Sequence, residues 1–172
     1  MSEQADRSLR GDRVYTPSWV AEDMVRWFQP TGKILEPFRG TGVFTQLIPD
    51  AFWCEIDEGR NFFSWTERVD WVISNPPYSL TRECFNHAFR ICDDLVFLVP
   101  LRNVFSGYGF VRDIRRFGNI AHIRLYGTGN RLGFPMGNCV GAIHVQRGYT
   151  GPTSWSDSAD GRDLSEWTWS ED

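Results

Sequence analysis

The run Leu95-Val96-Phe97-Leu98-Val99 does most to narrow what this chain can fold into. Five consecutive apolar residues leave no face for water. Such a strand is buried on both sides, as in a sheet covered by helices on both faces. Other short segments supply the rest of that sheet. Lys33–Glu36, Phe52–Ile56 and Asp70–Ser74 read as strands, and Asn61-Phe62-Phe63 as a further, very short one. Helical spacing lies between them. Val20, Met24, Trp27 and Phe28 recur on one face, after Thr16 as N-cap and Pro17 as first helical residue. Val43–Ile48 reads as a short helix. Leu80, Cys84, Ala88, Ile91 and Cys92 share another face, and Phe110–Phe117 reads as an Arg-rich helix. Ile120–Tyr126 alternates, and Val140–Val145 returns antiparallel after the Gly/Asn/Pro-rich stretch 127–138. Strands alternating with helices and ending in a hairpin predict a three-layer, Rossmann-like α/β fold. Its sheet is mostly parallel, with a C-terminal antiparallel hairpin.

A chain of 172 residues fits one domain with a real core. The expected division is a polar, flexible N-terminus at 1–12, the α/β domain at 13–147, and an acidic, Trp-rich tail at 148–172. The tail is expected to dock through Trp155, Trp167 and Trp169, to mediate oligomerisation, or to stay disordered. No apolar run approaches the roughly 20 residues of a membrane helix. The polar start MSEQADRSLRGDR is no secretory signal. Cys54, Cys84, Cys92 and Cys139 are scattered, as are the three histidines, so no metal site is expected. Reduced thiols in a core imply a cytoplasmic protein.

The net charge of −4 hides an asymmetry. Between Leu101 and Arg147 stand Arg102, Arg112, Arg115, Arg116, Arg124, Arg131 and Arg147 against one acid, Asp113. Beyond Gly151 six acids face Arg162 alone. A basic region built only of arginine, the better phosphate fork, suggests contact with nucleic acid.

Ligands of such sheets sit at the carboxyl ends of the strands. That rim carries Pro37-Phe38-Arg39-Gly40-Thr41-Gly42, Glu55, Asn61 and Asn75-Pro76-Pro77-Tyr78. The glycines allow a ligand close to the backbone. A carboxylate after the second strand, Glu55, suits the two hydroxyls of a ribose. Asn75 offers an amide oxygen, Pro76 carries no competing N–H, and Tyr78 supplies a flat face. Together these suit an exocyclic amino group on a planar ring, whose growing positive charge fixed acceptors stabilise.

These residues resemble the class I S-adenosylmethionine-dependent methyltransferases. More narrowly, they resemble the amino-directed enzymes that methylate adenine N6 in DNA, including restriction-modification enzymes and compact phage and prophage forms. The resemblance covers residues 13 to 147 and implies S-adenosylmethionine as cofactor. It implies that Tyr15, Thr16 and Pro17 touch the cofactor's methionine end, and that Glu36, Pro37, Phe38, Gly40 and Gly42 form its loop. Glu55 would take the ribose, with Ile56 beside the adenine. Asn61-Phe62 stands where the family has Asp-Phe, its amide oxygen taking the adenine amino group. Asn75, Pro76, Pro77 and Tyr78 match the catalytic signature, and Phe134 matches the aromatic that stacks on the target base. Arg39 is unusual inside the loop. It pairs with the cofactor carboxylate, with a nucleic-acid phosphate, or packs outward.

The substrate so implied is DNA whose target base is flipped out or already single-stranded. Arg102, Arg115, Arg116 and Arg131 would hold phosphates. With about 25 residues after Arg147, little or short-site sequence specificity is expected. Methylation of RNA bases or of a protein glutamine stands as an alternative. A catalytically silent accessory module that binds the cofactor or nucleic acid is another.

Overall fold

The computed structural model describes residues 14–159 and 162–163. The expected N-terminal segment, Trp167 and Trp169 lie outside them. The elements in chain order are α1 (Ser18–Phe28), β1 (Ile34–Glu36), α2 (Val43–Leu47), β2 (Phe52–Trp53) and β3 (Trp71–Ser74). Then follow α3 (Thr81–Ile91), β4 (Asp94–Pro100), α4 (Leu101–Phe105), α5 (Tyr108–Phe117), β5 (Gly118–Thr128), β6 (Cys139–Arg147), β7 (Ser154–Ala159) and β8 (Arg162–Asp163).

They form one sheet in the order β2-β1-β3-β4-β6-β5-β7-β8. β2, β1, β3 and β4 run parallel, and β6 is antiparallel to both β4 and β5. β4 is central, as its unbroken apolar run requires. Leu95, Phe97 and Val99 face the cluster that contains Cys84, Phe85 and Ala88 of α3 and Phe110, Ile114 and Phe117 of α5. Val96 and Leu98 face the opposite cluster, with Val20, Ala21 and Met24 of α1 and Phe44 of α2. This is the expected three-layer α/β fold with its C-terminal hairpin, β5–β6.

Local expectations needed correction. Pro17, not Thr16, is the N-cap of α1, and no side chain caps that end. Asn61-Phe62-Phe63 is not a strand: Phe62–Ser64 forms a 3₁₀ turn, with the Asn61 side chain accepting from the Phe63 N–H. β2 stops at Trp53, and Ile56–Glu58 is a second 3₁₀ turn. The sheet also continues past Arg147. β7 pairs in parallel with β5, from His122 opposite Ser154 to Leu125 opposite Asp157. On that strand Trp155 stays 57% exposed. Serine hydroxyls meet β5: Ser154 Oγ and Ser156 Oγ lie 2.7 Å from His122 Nδ1 and Nε2.

Beneath that edge lies a buried polar cluster. Arg124 donates through Nη2 to Asp23 Oδ1 at 3.0 Å, and the Tyr126 hydroxyl donates to Asp23 Oδ2 at 2.7 Å. Burial would raise the Asp23 carboxyl, but the Arg124 and Tyr126 hydrogen bonds and the Arg124 charge outweigh it and lower it. Trp27 covers the guanidinium, 4.0 Å from the ring centre. Arg124 therefore ties α1 to β5 and is withdrawn from any nucleic-acid surface.

Candidate functional site

A cleft of about 270 Å³ opens at the carboxyl ends of β1, β2 and β3. It is lined by the loop after β1 (Pro37, Phe38, Gly40, Thr41), the segment after β2 (Glu55 to Glu58, and Phe62), the turn after β3 (Asn75, Pro76, Pro77), and Val14 and Tyr15. The strands end there because proline stops two of them, at Pro37 and at Pro76.

The glycine loop is fixed from two sides. Gly40 and Gly42 adopt φ of +51° and +82°, which the turn into α2 needs and other residues resist. Glu55 Oε2 accepts from the Gly40 N–H at 2.8 Å, and its Oε1 accepts from the Asp57 N–H at 3.2 Å. Glu36 Oε2 accepts from the Thr45 N–H at 2.9 Å, capping α2. Its other oxygen, Oε1, is buried without a hydrogen-bond partner. Burial pushes this carboxyl up to about 8, with Thr45 and Arg39 pulling it back and Glu55 adding to the rise.

Asn75 is held from below. Its Nδ2 donates to the Val14 carbonyl at 2.8 Å. That contact assigns the amide's orientation and leaves Oδ1 as an acceptor, buried and without a hydrogen-bond partner. Pro77 opens the 3₁₀ turn Tyr78–Leu80. The Tyr78 carbonyl accepts from Thr81 Oγ1 at 2.8 Å and from Asn103 Nδ2 at 3.0 Å, so the motif is fastened to α3 and α4. Phe134, in the β5–β6 connection, comes beside Tyr78, with ring centres 6.4 Å apart and planes inclined at 60°.

Several expected residues stand elsewhere. Thr16 and Pro17 support the entry into α1 without lining the cleft. Asn61 also stays outside it, because its amide oxygen caps the turn at Phe63. Arg39 does not line the cleft itself; half-buried, it pairs at 3.0 Å with Glu58, which does, and lies over the Trp53 ring. The four arginines divide. Arg102 begins α4 just after β4 ends, and Arg131 sits in the β5–β6 connection, both at the cleft's end of the sheet. Arg115 and Arg116 close α5, which meets Gly118 opposite Arg147, where β4 begins. They lie at the opposite end. Arg147 is a brace there, donating to Asp93 and to the carbonyls of Phe89 and Cys92. Sequence reasoning missed Val14, whose contribution is a backbone carbonyl that no residue type announces. It also missed Asp57 and Glu58, for which the adjacent Glu55 was the available signal.

Three buried thiols, Cys54, Cys84 and Cys92, are free, as is the exposed Cys139. Among the described residues no cluster of His, Cys, Asp and Glu could hold a metal ion, and no helix is long and apolar enough to cross a membrane.

No family model and no curated protein matches the chain. Solved structures do. A protein from Listeria monocytogenes assigned to the class I S-adenosylmethionine-dependent methyltransferases superposes with a TM-score of 0.64, at 17% identity over 90% of this chain and 69% of that one. The chain has the class I methyltransferase fold. A modification subunit assigned to a type I restriction enzyme of Vibrio vulnificus YJ016 gives 0.62, at 17% identity over 90% of this chain. This chain spans only 49% of that subunit. A dimethyladenosine transferase from Plasmodium falciparum gives 0.57, at 11% identity over 78% of this chain and 63% of that one. Only five residues separate Glu55 from Asn61, and between β2 and β3 the chain forms two 3₁₀ turns with no α-helix or named strand.

Proposed function

We propose that the protein transfers a methyl group from S-adenosylmethionine to the exocyclic N6 amino group of adenine in DNA, with little or short-site sequence preference. The observation that carries this reading is the Asn75 amide. Its nitrogen is engaged by Val14, its oxygen is a buried acceptor without a hydrogen-bond partner, and the residue lines the cleft three positions before Tyr78. A buried acceptor left unmade costs about 1–3 kcal/mol, which an incoming N–H donor would recover.

The residues present fit the cofactor. Glu55, Asp57 and Glu58 line the cleft with carboxylates, suiting a ligand with a sulfonium and an ammonium group. Glu55 is positioned for ribose hydroxyls, Ile56 and Phe62 for an adenine, and the glycine loop lets the backbone approach. When bound, the cofactor supplies a methyl group on a positively charged sulfur. Asn75 Oδ1 and the carbonyl preceding Pro77 would accept the two hydrogens of the adenine amino group and orient its nitrogen. These preorganised dipoles stabilise the charge that develops on nitrogen, so no side chain need remove a proton before attack. Tyr78 and Phe134 would hold the base, once their inclined rings open. A base in a duplex cannot reach this position without flipping.

Methyl transfer to adenine in RNA is the second reading, since the same acceptors serve either polymer. One assay separates them: radiolabelled S-adenosylmethionine with unmethylated duplex DNA, single-stranded DNA, RNA and a release factor in parallel. N6-methyladenine in DNA that vanishes in Asn75→Ala is the expected result. Label in RNA or protein alone would overturn the DNA assignment. Cofactor binding without transfer to any substrate would favour an accessory module.

A further inference from the structure

We propose that the corner between α4 and α5 is a docking platform for the unpaired DNA strand that flanks the target base, with Tyr108 as its stacking ring. This rests on the reading above and adds a residue that neither the motif nor the cleft contains. Tyr108 is 96% exposed, and Phe105 is 44% exposed. The two aromatics are three residues apart across Ser106-Gly107.

The corner belongs to the cleft's end of the sheet. α4 starts where β4 ends, and its Asn103 holds the Tyr78 carbonyl at 3.0 Å. On its far side, Gly109 lies against Arg82 of α3; a Cβ there would stand 3.5 Å from the guanidinium. Asn103 thus fastens the corner to Tyr78, and Asp113 of α5 holds Arg82 of α3 at 2.8 Å. A strand leaving the Tyr78 cup would cross the corner.

Charge agrees with that occupant. Residues 101 to 112 contain no acid. Arg102 stands three residues before Phe105, and Arg112 lies one turn after Tyr108, on the same face of α5. Both are exposed, as is Arg131 across the rim. None of the three makes an ion pair among the described residues. By contrast, Arg82 and Arg116 are both engaged by Asp113. Exposed aromatics interleaved with uncommitted arginines are how single strands are held: bases stack on rings while cations follow the phosphates. An apolar protein partner would gain nothing from the arginines, and folded DNA duplex offers no free base face to the ring.

The test is binding, measured without cofactor. A fluorescein-labelled, adenine-containing single-stranded DNA is titrated with wild type, Tyr108→Ala and Tyr108→Phe, by anisotropy at fixed salt. An RNA of the same sequence runs in parallel. Tyr108→Ala is expected to weaken DNA binding about tenfold. Tyr108→Phe, which keeps the ring, should stay within about twofold. Arg102→Gln should shrink the slope of log affinity against log salt by about 0.7. So exposed a side chain does not support the fold, and unchanged melting and S-adenosylmethionine affinity check that. Unaltered DNA binding in Tyr108→Ala overturns the platform, as does dependence on Tyr108 seen only with RNA. If that variant binds normally while wild type methylates DNA, the platform alone fails. If binding depends on Tyr108 but wild type transfers no methyl group, methyl transfer fails and the platform stands.

Discussion

The backbone carbonyl of Val14 accepts a hydrogen bond from Asn75 Nδ2 at 2.8 Å, across 61 residues of sequence. The segment before α1 therefore orients the amide at the end of β3. Removing that amide should remove the acceptor without disturbing the carboxylates of the cleft. Asn75→Ala is expected to lower methyl transfer by at least 10²-fold. S-adenosylmethionine affinity, measured by calorimetry, should change only a few-fold. Transfer within tenfold of wild type would remove Asn75 from the chemistry.

Glu55 both braces the Gly40 N–H and lines the cleft. Glu55→Ala should weaken cofactor binding by about tenfold or more, as a charge-assisted pair of hydrogen bonds is lost. Glu55→Gln keeps an oxygen for Gly40 and should lose less. Calorimetry with both variants reads the difference. Equal affinity in wild type and Glu55→Ala would show that the ribose lies elsewhere.

Glu36 makes stability depend on pH. Its carboxyl is raised from 4.5 to about 8 in the folded protein. Between those values the native state holds a proton that the unfolded chain has released. The stability it contributes is full below about pH 4.5 and is lost as pH rises through about 8. Glu36→Gln keeps an oxygen for the Thr45 N–H and removes the titration. The variant should gain on wild type by roughly 1.4 kcal/mol per pH unit at most across that window. Urea midpoints at several pH values measure it, and parallel profiles for the two proteins would show that Glu36 is ionised throughout.

What the sequence made legible follows from periodicity and local chemistry. Leu95–Val99 could only be central, and Asn75–Tyr78 carried its own reading because acceptors, rigidity and a ring sit in four consecutive residues. Arg115 and Arg116 show the limit. Their charge is visible, but which end of α5 meets the cleft depends on how β5 returns beside β6. β7 was hidden for another reason. Ser-Trp-Ser-Asp-Ser-Ala has no apolar alternation, and its pairing relies on His122 and Arg124, more than 30 residues away. The partners of Arg39, Trp53 of β2 and Glu58 of the turn after it, are announced by no local pattern.

That division of the arginines can be measured. Arg102→Glu with Arg131→Glu reverses charge at the cleft's end of the sheet, and Arg115→Glu with Arg116→Glu reverses it at the other. The first pair should weaken DNA binding by 10-fold or more at low salt, and the second by about twofold at most. Comparable losses in both would mean that DNA reaches the far end, against the present assignment.

The Asp23–Arg124 pair sets the strongest stability expectation, because both side chains are about 2% exposed. Asp23→Ala leaves a guanidinium buried under Trp27 with no carboxylate, and strips the Tyr126 hydroxyl of its acceptor. Breaking one side of a buried pair costs about 3–5 kcal/mol. Replacing both partners, as in Asp23→Leu with Arg124→Met, should cost less than the single change, since no charge is then stranded. β7 would loosen in the double variant, because Arg124 Nη1 also donates to Ser156 Oγ at 3.1 Å. Denaturant midpoints report the first effect, and amide exchange along 154–159 reports the second. A single variant as stable as wild type would mean that water reaches Arg124 and the cluster is not a buried ion pair.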